Sequence, residues 1–151
     1  MIVLIPAYEP TMKLIELIKQ LQTTVNISIL IIDDGSGANY KKIFSQAQNL
    51  GVTLLTHESN LGKGAALKTG FKYLLDQNVK ETIVCADSDG QHKAPDIIRI
   101  GEAVVKEDVM VLGVRDFTGK VPLRSRLGNA MSSKILGLVS GYKLDDTQTG
   151  L

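Results

Sequence analysis

The stretch ISILIIDDGSG, residues 27–37, decides the fold. Its first six residues, Ile27–Ile32, form a short run of mostly branched, apolar side chains. Such a run is typical of a strand buried on both faces of a parallel sheet. Two acids and a glycine-rich turn follow at once. The same combination of a buried strand and a polar ending recurs along the chain, and it predicts an α/β protein.

Four other runs have this strand character: Ile2–Ile5, Val52–Leu55, Thr82–Ala86 and Val109–Val114. The segments between them repeat apolar residues every three or four positions, as one face of a helix does. These helical segments lie around residues 14–21, 40–50, 67–75, 97–105 and 126–139. The alternation predicts an open, mostly parallel sheet with helices on both faces, in one domain over residues 1–151.

Composition excludes several classes of protein. The 151 residues match one domain of roughly 100–200 residues, and a hydrophobic share of 44% argues against disorder. Seventeen basic against sixteen acidic residues give a net charge of +1, so we expect no nucleic-acid partner. No apolar run approaches the roughly 20 residues of a membrane span. With one cysteine, Cys85, in a predicted strand, the sequence favours a reduced, soluble, cytoplasmic domain.

Polar or glycine-rich segments follow every predicted strand. Ligands of such sheets bind beyond the carboxyl ends of the strands, so these segments are expected to share one binding edge. They cover residues 6–10, 33–37, 60–64, 87–92 and 115–116.

Asp87-Ser88-Asp89 is the sharpest signal among them. Residues two apart at a strand end project to the same side, so both carboxylates can face one point. Mg²⁺ or Mn²⁺ suits two such oxygen ligands and commonly shares its other positions with phosphates. We expect Asp87 and Asp89 to bind that ion; the alternative is an acidic turn leading to Gly90.

The other segments are less specific, and some of their residues allow more than one interpretation. Asp33 is expected to cap the turn, whereas Asp34 is expected to contact a ligand. Lys63 opens a helix in a glycine-rich loop that is not a P-loop, since Gly64 follows it. It either balances a pyrophosphate or the nearby acids, or is an exposed lysine. Tyr8 either stacks on a base or packs locally.

Histidines and the C-terminal region add weaker signals. His92 is expected near the binding edge, in contact with a phosphate group of the ligand. His57 is expected on a surface loop. Arg115 and Arg126 suit phosphate binding. The acids Asp145 and Asp146 are candidates for a general base or a hydroxyl ligand.

In order along the chain, the motifs resemble those of family 2 glycosyltransferases with a GT-A fold. The resemblance is closest to polyprenyl-phosphate sugar synthases, including dolichol-phosphate mannose synthases and bacterial relatives joined to a GtrA-type membrane domain. The matching strings are IPAYEP at 5–10, DDGSG at 33–37, NLGKGAALKTG at 60–70, ADSDGQH at 86–92, GVRDF at 113–117, VPLRSRLGN at 121–129 and DTQTGL at 146–151.

The resemblance implies a GT-A (Rossmann-like) fold and roles for individual residues. Asp87 and Asp89 hold Mg²⁺ or Mn²⁺, Gln91 lies beside the sugar, and Arg115 and Arg126 face the phosphates. The residues expected to line the nucleotide-sugar site are Pro6, Ala7, Tyr8, Glu9, Ile32, Asp34, Lys63, Asp87, Ser88, Asp89, Gln91 and Arg115.

The implied activity is inverting, metal-dependent transfer of a sugar from a UDP-, GDP- or dTDP-linked donor. A polyprenyl-phosphate acceptor is already anionic and needs no strong base. A glycan hydroxyl would instead make Asp146, then Asp145, the catalytic base. Arg126, which faces the phosphates, is the other catalytic candidate. Two other functions stay open: a non-catalytic nucleotide-sugar binding fragment, and a sugar-1-phosphate nucleotidyltransferase. The latter needs a glycine-rich basic loop that Ile5–Pro10 lacks.

The family pattern also bears on the ends of the chain. Relatives continue beyond the DTQTGL motif, with which this sequence ends at Leu151. We therefore expect a catalytic core cut from a longer protein. Membrane association, at the cytoplasmic face, would then come from segments outside these 151 residues.

Overall fold

The computed structural model describes residues 1–24, 27–105, 111 and 113. Its strands are β1 (Ile2–Ala7), β2 (Ser28–Asp33), β3 (Thr53–Thr56) and β4 (Ile83–Cys85). Its helices are α1 (Met12–Gln22), α2 (Lys41–Asn49), α3 (Lys63–Asp76) and α4 (Ala94–Ala103), with a 3₁₀ turn at Ala38–Tyr40 before α2. All of these elements belong to the first of two compact units into which the chain divides.

The four strands form one parallel sheet in the order β3-β2-β1-β4. Ile2 pairs with Ser28 on one side and with Ile83 on the other. The chain moves outward from β1 through β2 to β3 and then returns to place β4 beside β1. The strand order therefore reverses between β1 and β4, which is where ligands of open α/β sheets bind.

Apolar side chains cover both faces of the sheet. Val3 and Ile5 of β1 face the layer formed by α1, α2 and α4. Ile2 and Leu4 face α3 on the other side. Successive strand residues point to opposite faces, so a strand covered on both sides must be apolar throughout. The predicted parallel sheet with helices on both faces is confirmed in the described part of the chain.

Local sequence accounts for where the helices begin. Thr11 caps α1, and its side chain accepts a hydrogen bond from the amide of Lys13. Pro95 stands in the first turn of α4, where its missing N–H is tolerated. Burial raises the pKa of the Cys85 thiol, which keeps it protonated at neutral pH, as expected of a core residue.

Two predicted elements, the strand Val109–Val114 and the helix at 126–139, lie outside the described residues, apart from residues 111 and 113. Among the described residues, no helix has the length and apolar character needed to cross a membrane.

Candidate functional site

The segments that follow β1, β2, β3 and β4 meet at one edge of the sheet. Backbone hydrogen bonds extend the strand pairing past the strand ends. The amide of Asp34 donates to the carbonyl of Ala7 over 2.8 Å, and that of His57 to the carbonyl of Asp33 over 2.8 Å. The amide of Ala86, next to Asp87, donates to the carbonyl of Leu4 over 3.0 Å. The shared carboxyl edge is therefore present, as the sequence predicts.

The turn after β2 is tied to the turn after β1. Asp33 accepts a hydrogen bond from the amide of Ser36 over 2.9 Å, so its predicted capping role is confirmed. The Ser36 hydroxyl accepts in turn from the amide of Glu9 over 2.9 Å. Glu9 has a φ of 49°, a left-handed conformation that such a tie helps to hold. Partial burial, together with the Glu9 carboxylate, raises the pKa of Tyr40.

Asp34 is a buried acid at the centre of this edge, with 3% of its surface exposed. Its Oδ1 accepts from the amide of Leu61 over 3.0 Å, and its Oδ2 from the amide of Gly62 over 2.8 Å. Burial alone would raise the pKa of Asp34. The amide of Leu61, the ring of His57 and the amide of Gly62 together outweigh burial and hold that pKa below 3.8, its ordinary value. The carboxylate is therefore ionised at neutral pH.

His57 was expected on a surface loop, and that expectation is wrong. Only 11% of its side chain is exposed. Nδ1 lies 2.8 Å from Oδ1 of Asp34, and Nε2 lies 2.9 Å from Oγ1 of Thr69 in α3. The strand end of β3 turns the ring inward, between β2 and α3. The sequence contains no local pattern that predicts this, because both partners are remote in the chain.

A close backbone contact places the loop before α3. An added Cβ at Gly35 would lie 2.3 Å from the carbonyl carbon of Ser59 and 2.5 Å from the nitrogen of Asn60. Gly35 also has a φ of 74°, which glycine adopts without strain. The glycine therefore lets the turn after β2 pack directly on residues 59 and 60.

Lys63, the first residue of α3, meets the acidic segment after β4. Its Nζ lies 2.5 Å from Oδ1 of Asp87. The lysine side chain is 53% exposed and that of the aspartate 28%, so the pair lies at the rim of the edge. Of the roles considered for Lys63, balancing the acids is the one that the structure shows.

The rest of the acidic segment is held by short-range hydrogen bonds. The Asp89 carboxylate accepts from the backbone amide of Gln91 over 2.9 Å and from its side-chain amide over 2.7 Å. Nδ1 of His92 accepts from the amide of Asp87 over 2.9 Å. His92 therefore supports the segment from within, and its Nε2 is the protonated nitrogen of the neutral ring.

The donor set at this edge suits a magnesium or manganese ion. Asp87 and Asp89 supply only oxygen, and Mg²⁺ commonly binds one or two carboxylates and completes its shell with water and substrate phosphates. Oδ1 of Asp87 already pairs with Nζ of Lys63, so a metal ion at Asp87 would lie beside that lysine. No group of three or more histidine, cysteine or acidic side chains within residues 1–24 and 27–105 is arranged to hold a metal by itself. The chemistry of the pair fits an ion shared with a diphosphate.

Two further side chains border the edge. Tyr8, after β1, is 49% exposed, so its ring is free to contact a ligand. Lys13 of α1 lies across Gly90: an added Cβ there would stand 3.0 Å from Cδ of the lysine. No sequence pattern around Lys13 predicts this contact, because it depends on how α1 packs against the segment after β4.

Three other predicted site residues lie beneath the surface of this edge, and four lie outside the described residues. Pro6, Ala7 and Ile32 are buried within β1 and β2, so they form its floor. Arg115, Arg126, Asp145 and Asp146 lie outside the described residues. Their roles stay predictions, as do the ligand contacts of Glu9, Asp34, Ser88 and Gln91.

A cavity of about 510 Å³ lies elsewhere, between α1 and α4. It is lined by Gln20, Thr23, Thr24, Ala94, Pro95, Ile98, Arg99 and Glu102. None of the predicted site residues within the described ranges is among its lining residues. The cavity is therefore separate from the side chains described above at the carboxyl edge.

Sequence comparisons identify similar proteins. The model of the family described as Glycosyl transferase family 2 matches residues 2–149. A protein of Methanocaldococcus jannaschii described as uncharacterized is 33% identical over 154 residues, which cover 99% of this chain and 62% of that protein. The UDP-N-acetylglucosamine--dolichyl-phosphate N-acetylglucosaminyltransferase of Methanococcus voltae is 31% identical over 169 residues, covering 98% of this chain and 66% of that enzyme.

A second uncharacterized protein of Methanocaldococcus jannaschii is 30% identical over 142 residues. That match covers 91% of this chain and 61% of the relative. The chain thus spans between 61% and 66% of the length of these curated relatives.

Proposed function

Because the chain belongs to glycosyl transferase family 2, we propose that it transfers a sugar from a nucleoside-diphosphate sugar to a polyprenyl phosphate. The family predicted from the sequence motifs is confirmed. The observation that carries the proposal is the meeting of Lys63 and Asp87 over 2.5 Å beside the point where the strand order reverses. A cation and an acid placed there suit a diphosphate and its counterion.

The proposed donor is a UDP-linked sugar. The Methanococcus voltae relative is named for UDP-N-acetylglucosamine, which supports this choice. Asp34 independently supports a pyrimidine base over guanine. An ionised carboxylate offers about four acceptor positions, and His57, Leu61 and Gly62 occupy three of them. Counting only donors from the described residues, one position on Oδ2 remains, enough for the single imino N–H of uracil or thymine but not for the paired N–H donors of guanine.

Asp87 and Asp89 would hold the divalent ion, Mg²⁺ or Mn²⁺, that this site fits. When bound, such an ion neutralises the charge that develops on the departing diphosphate. Lys63 lies at the same carboxylate and adds a second positive charge. Placing fixed charges where negative charge develops is the electrostatic form of catalysis. Gln91, held beside Asp89, is proposed to border the sugar.

The proposed acceptor is a polyprenyl phosphate, by analogy with the dolichyl phosphate named for the Methanococcus voltae relative. Such a phosphate is ionised at neutral pH and attacks the anomeric carbon directly, inverting its configuration. No general base is then required. Arg115 and Arg126 are proposed to face the phosphates. Since this acceptor resides in a membrane, the proposed place of action is the cytoplasmic membrane face.

A transfer assay tests the function. The chain is incubated with Mn²⁺, undecaprenyl phosphate and UDP-N-acetylglucosamine that carries a label in the sugar, and labelled lipid is measured. We expect labelled lipid from the wild type and at least about a hundredfold less from Asp87→Asn, the scale of losing a transition-state contact. Asp76→Asn is the matched control, because Asp76 pairs with Lys72 on the exposed face of α3, away from the acidic segment after β4. Equal product from Asp87→Asn and Asp76→Asn would contradict the proposal.

Asp146→Asn separates the two acceptor classes. On a lipid phosphate the variant is expected to turn over at the wild-type rate, because no base is needed. Loss of turnover on the lipid phosphate would instead indicate a hydroxyl acceptor, with Asp146 as its base and Asp145 as the second candidate.

A further inference from the structure

Three side chains from three different elements form a continuous chain of hydrogen bonds behind the carboxyl edge. Asp34 follows β2, His57 follows β3 and Thr69 lies in α3. The two contacts measure 2.8 Å, from Oδ1 of Asp34 to Nδ1 of His57, and 2.9 Å, from Nε2 of His57 to Oγ1 of Thr69. With the acid 4% and the histidine 11% exposed at their side chains, water competes little for either contact.

The carboxylate fixes the direction of the first hydrogen bond, and that direction determines the second one in a neutral ring. The carboxylate of Asp34 can only accept, so Nδ1 of His57 carries a proton and donates. In a neutral ring Nε2 then has no proton and accepts from the hydroxyl of Thr69. The arrangement selects one tautomer of His57, with the proton on Nδ1.

The same carboxylate holds the loop that precedes α3. Its oxygens accept from the amides of Leu61 and Gly62 over 3.0 and 2.8 Å. Gly62 is the residue that caps α3, and Lys63, which reaches Asp87, follows it directly. The orientation of Asp34 therefore sets where the first turn of α3 and its lysine lie.

We propose that His57 is a positioning residue of the donor site. Its ring, anchored on Thr69, turns the Asp34 carboxylate so that this group grips the Leu61 and Gly62 amides and presents Lys63 to the diphosphate. His57 touches no substrate in this role and acts through Asp34. The consequence for donor binding rests on the proposed function, whereas the consequence for the loop does not.

Two substitutions separate positioning from simple filling of space. His57→Phe keeps an aromatic ring at this position but removes both hydrogen bonds. His57→Asn is smaller, yet it places an amide N–H donor near the position of Nδ1 and restores the contact with Asp34. Thr69→Val removes only the anchor. Lys72→Ala, on the exposed face of the same helix, is the control.

The first measurement is nuclear magnetic resonance without any ligand. In the wild type, long-range proton–nitrogen correlations are expected to show the proton on Nδ1 of His57. Amide exchange at Leu61 and Gly62 is expected to accelerate at least about tenfold in His57→Phe, the scale of losing one charged hydrogen bond. His57→Asn should restore slow exchange, and Lys72→Ala should not alter it. A proton on Nε2 instead, or unchanged exchange in a folded His57→Phe, would overturn the proposal.

Calorimetric titration with UDP and Mn²⁺ is the second measurement. We expect His57→Phe to bind UDP about tenfold more weakly, with His57→Asn within about threefold of the wild type. Should His57→Phe not fold, Thr69→Val provides the test: faster exchange at Leu61 and Gly62 supports positioning, and unchanged exchange contradicts it. A wild type that binds no UDP, yet shows the Nδ1 tautomer and the exchange pattern, would overturn the proposed function and leave the positioning role supported.

Discussion

Nδ1 of His57 lies 2.8 Å from Oδ1 of Asp34, although 23 residues separate the two in the chain. The contact joins the ends of β2 and β3 at the edge of the sheet where the acidic and basic residues gather. Through the amides of Leu61 and Gly62 it also determines where α3 begins. Stability and the proposed donor site therefore depend on the same buried carboxylate.

Asp34→Asn should destabilise the fold by about 1–3 kcal/mol, because the new amide group turns a donor toward the donors that the carboxylate now satisfies. The measurement is the free energy of unfolding in urea at pH 7. Asp76→Asn, at an exposed carboxylate, should change it by less than about 0.5 kcal/mol. Equal stability of the two variants would show that Asp34 does not hold the loop.

The dependence of stability on pH follows from the same group. The pKa of Asp34 is lower in the folded protein than its ordinary value of 3.8. The folded state therefore favours the ionised form, and the stabilisation is complete well above that value. It is lost as the pH falls below it and through the lower folded pKa. Urea midpoints between pH 6 and pH 3 should fall more steeply for the wild type than for Asp34→Asn; parallel curves would contradict this assignment.

Gly35→Ala should cost more than about 2 kcal/mol of stability. An alanine at a φ of 74° is strained by about 1–2 kcal/mol, and its Cβ would overlap the backbone of Ser59. Gly51→Ala is the matched control, since Gly51 has a φ of 82° and open space around it. Thermal unfolding of both variants measures the difference. If Gly51→Ala were as destabilising, the contact with Ser59 would carry none of the effect.

Lys63→Ala should change metal and nucleotide binding in opposite directions. Removing the ammonium group frees the Asp87 carboxylate, so the affinity for Mn²⁺ alone should rise, by no more than about fivefold for an exposed pair. The affinity for UDP in saturating Mn²⁺ should fall, because a charge beside the diphosphate is lost. Calorimetry measures both, with Lys68→Ala as the control on the same helix. Unchanged Mn²⁺ affinity would show that Lys63 and the metal do not compete for Asp87.

Much of the fold could be predicted because its determinants are local. β1, β2 and β4 each contain an unbroken run of apolar residues, and Thr11 and Pro95 mark where α1 and α4 begin. The common carboxyl edge followed from the parallel order of the strands, without knowledge of any side-chain contact. The cap that Asp33 places on Ser36 spans three residues and is equally local.

The side-chain contacts that organise the site could not be predicted from the sequence. The sequence around His57 and Lys13 predicts exposed side chains, because each is a polar residue near a loop or a helix end. Their positions depend on how β3 packs beside β2, and α1 beside the segment with Gly90, both of which are tertiary relationships. Lys63 is an intermediate case. Its position at the start of the helix after β3 was predictable, but the sequence did not decide whether its partner is a pyrophosphate or a nearby acid such as Asp87.

The central claim is that a UDP-linked donor and its divalent ion bind at the carboxyl edge between β1 and β4. The most direct test is an amide spectrum of the ¹⁵N-labelled chain during titration with UDP and Mg²⁺, followed by a trace of paramagnetic Mn²⁺. We predict that UDP shifts the amides of Tyr8, Gly62 and Lys63, and that Mn²⁺ broadens those of Asp87 to Gln91 first. Shifts confined to residues around the cavity between α1 and α4, or broadening that spares Asp87 and Asp89, would contradict the claim.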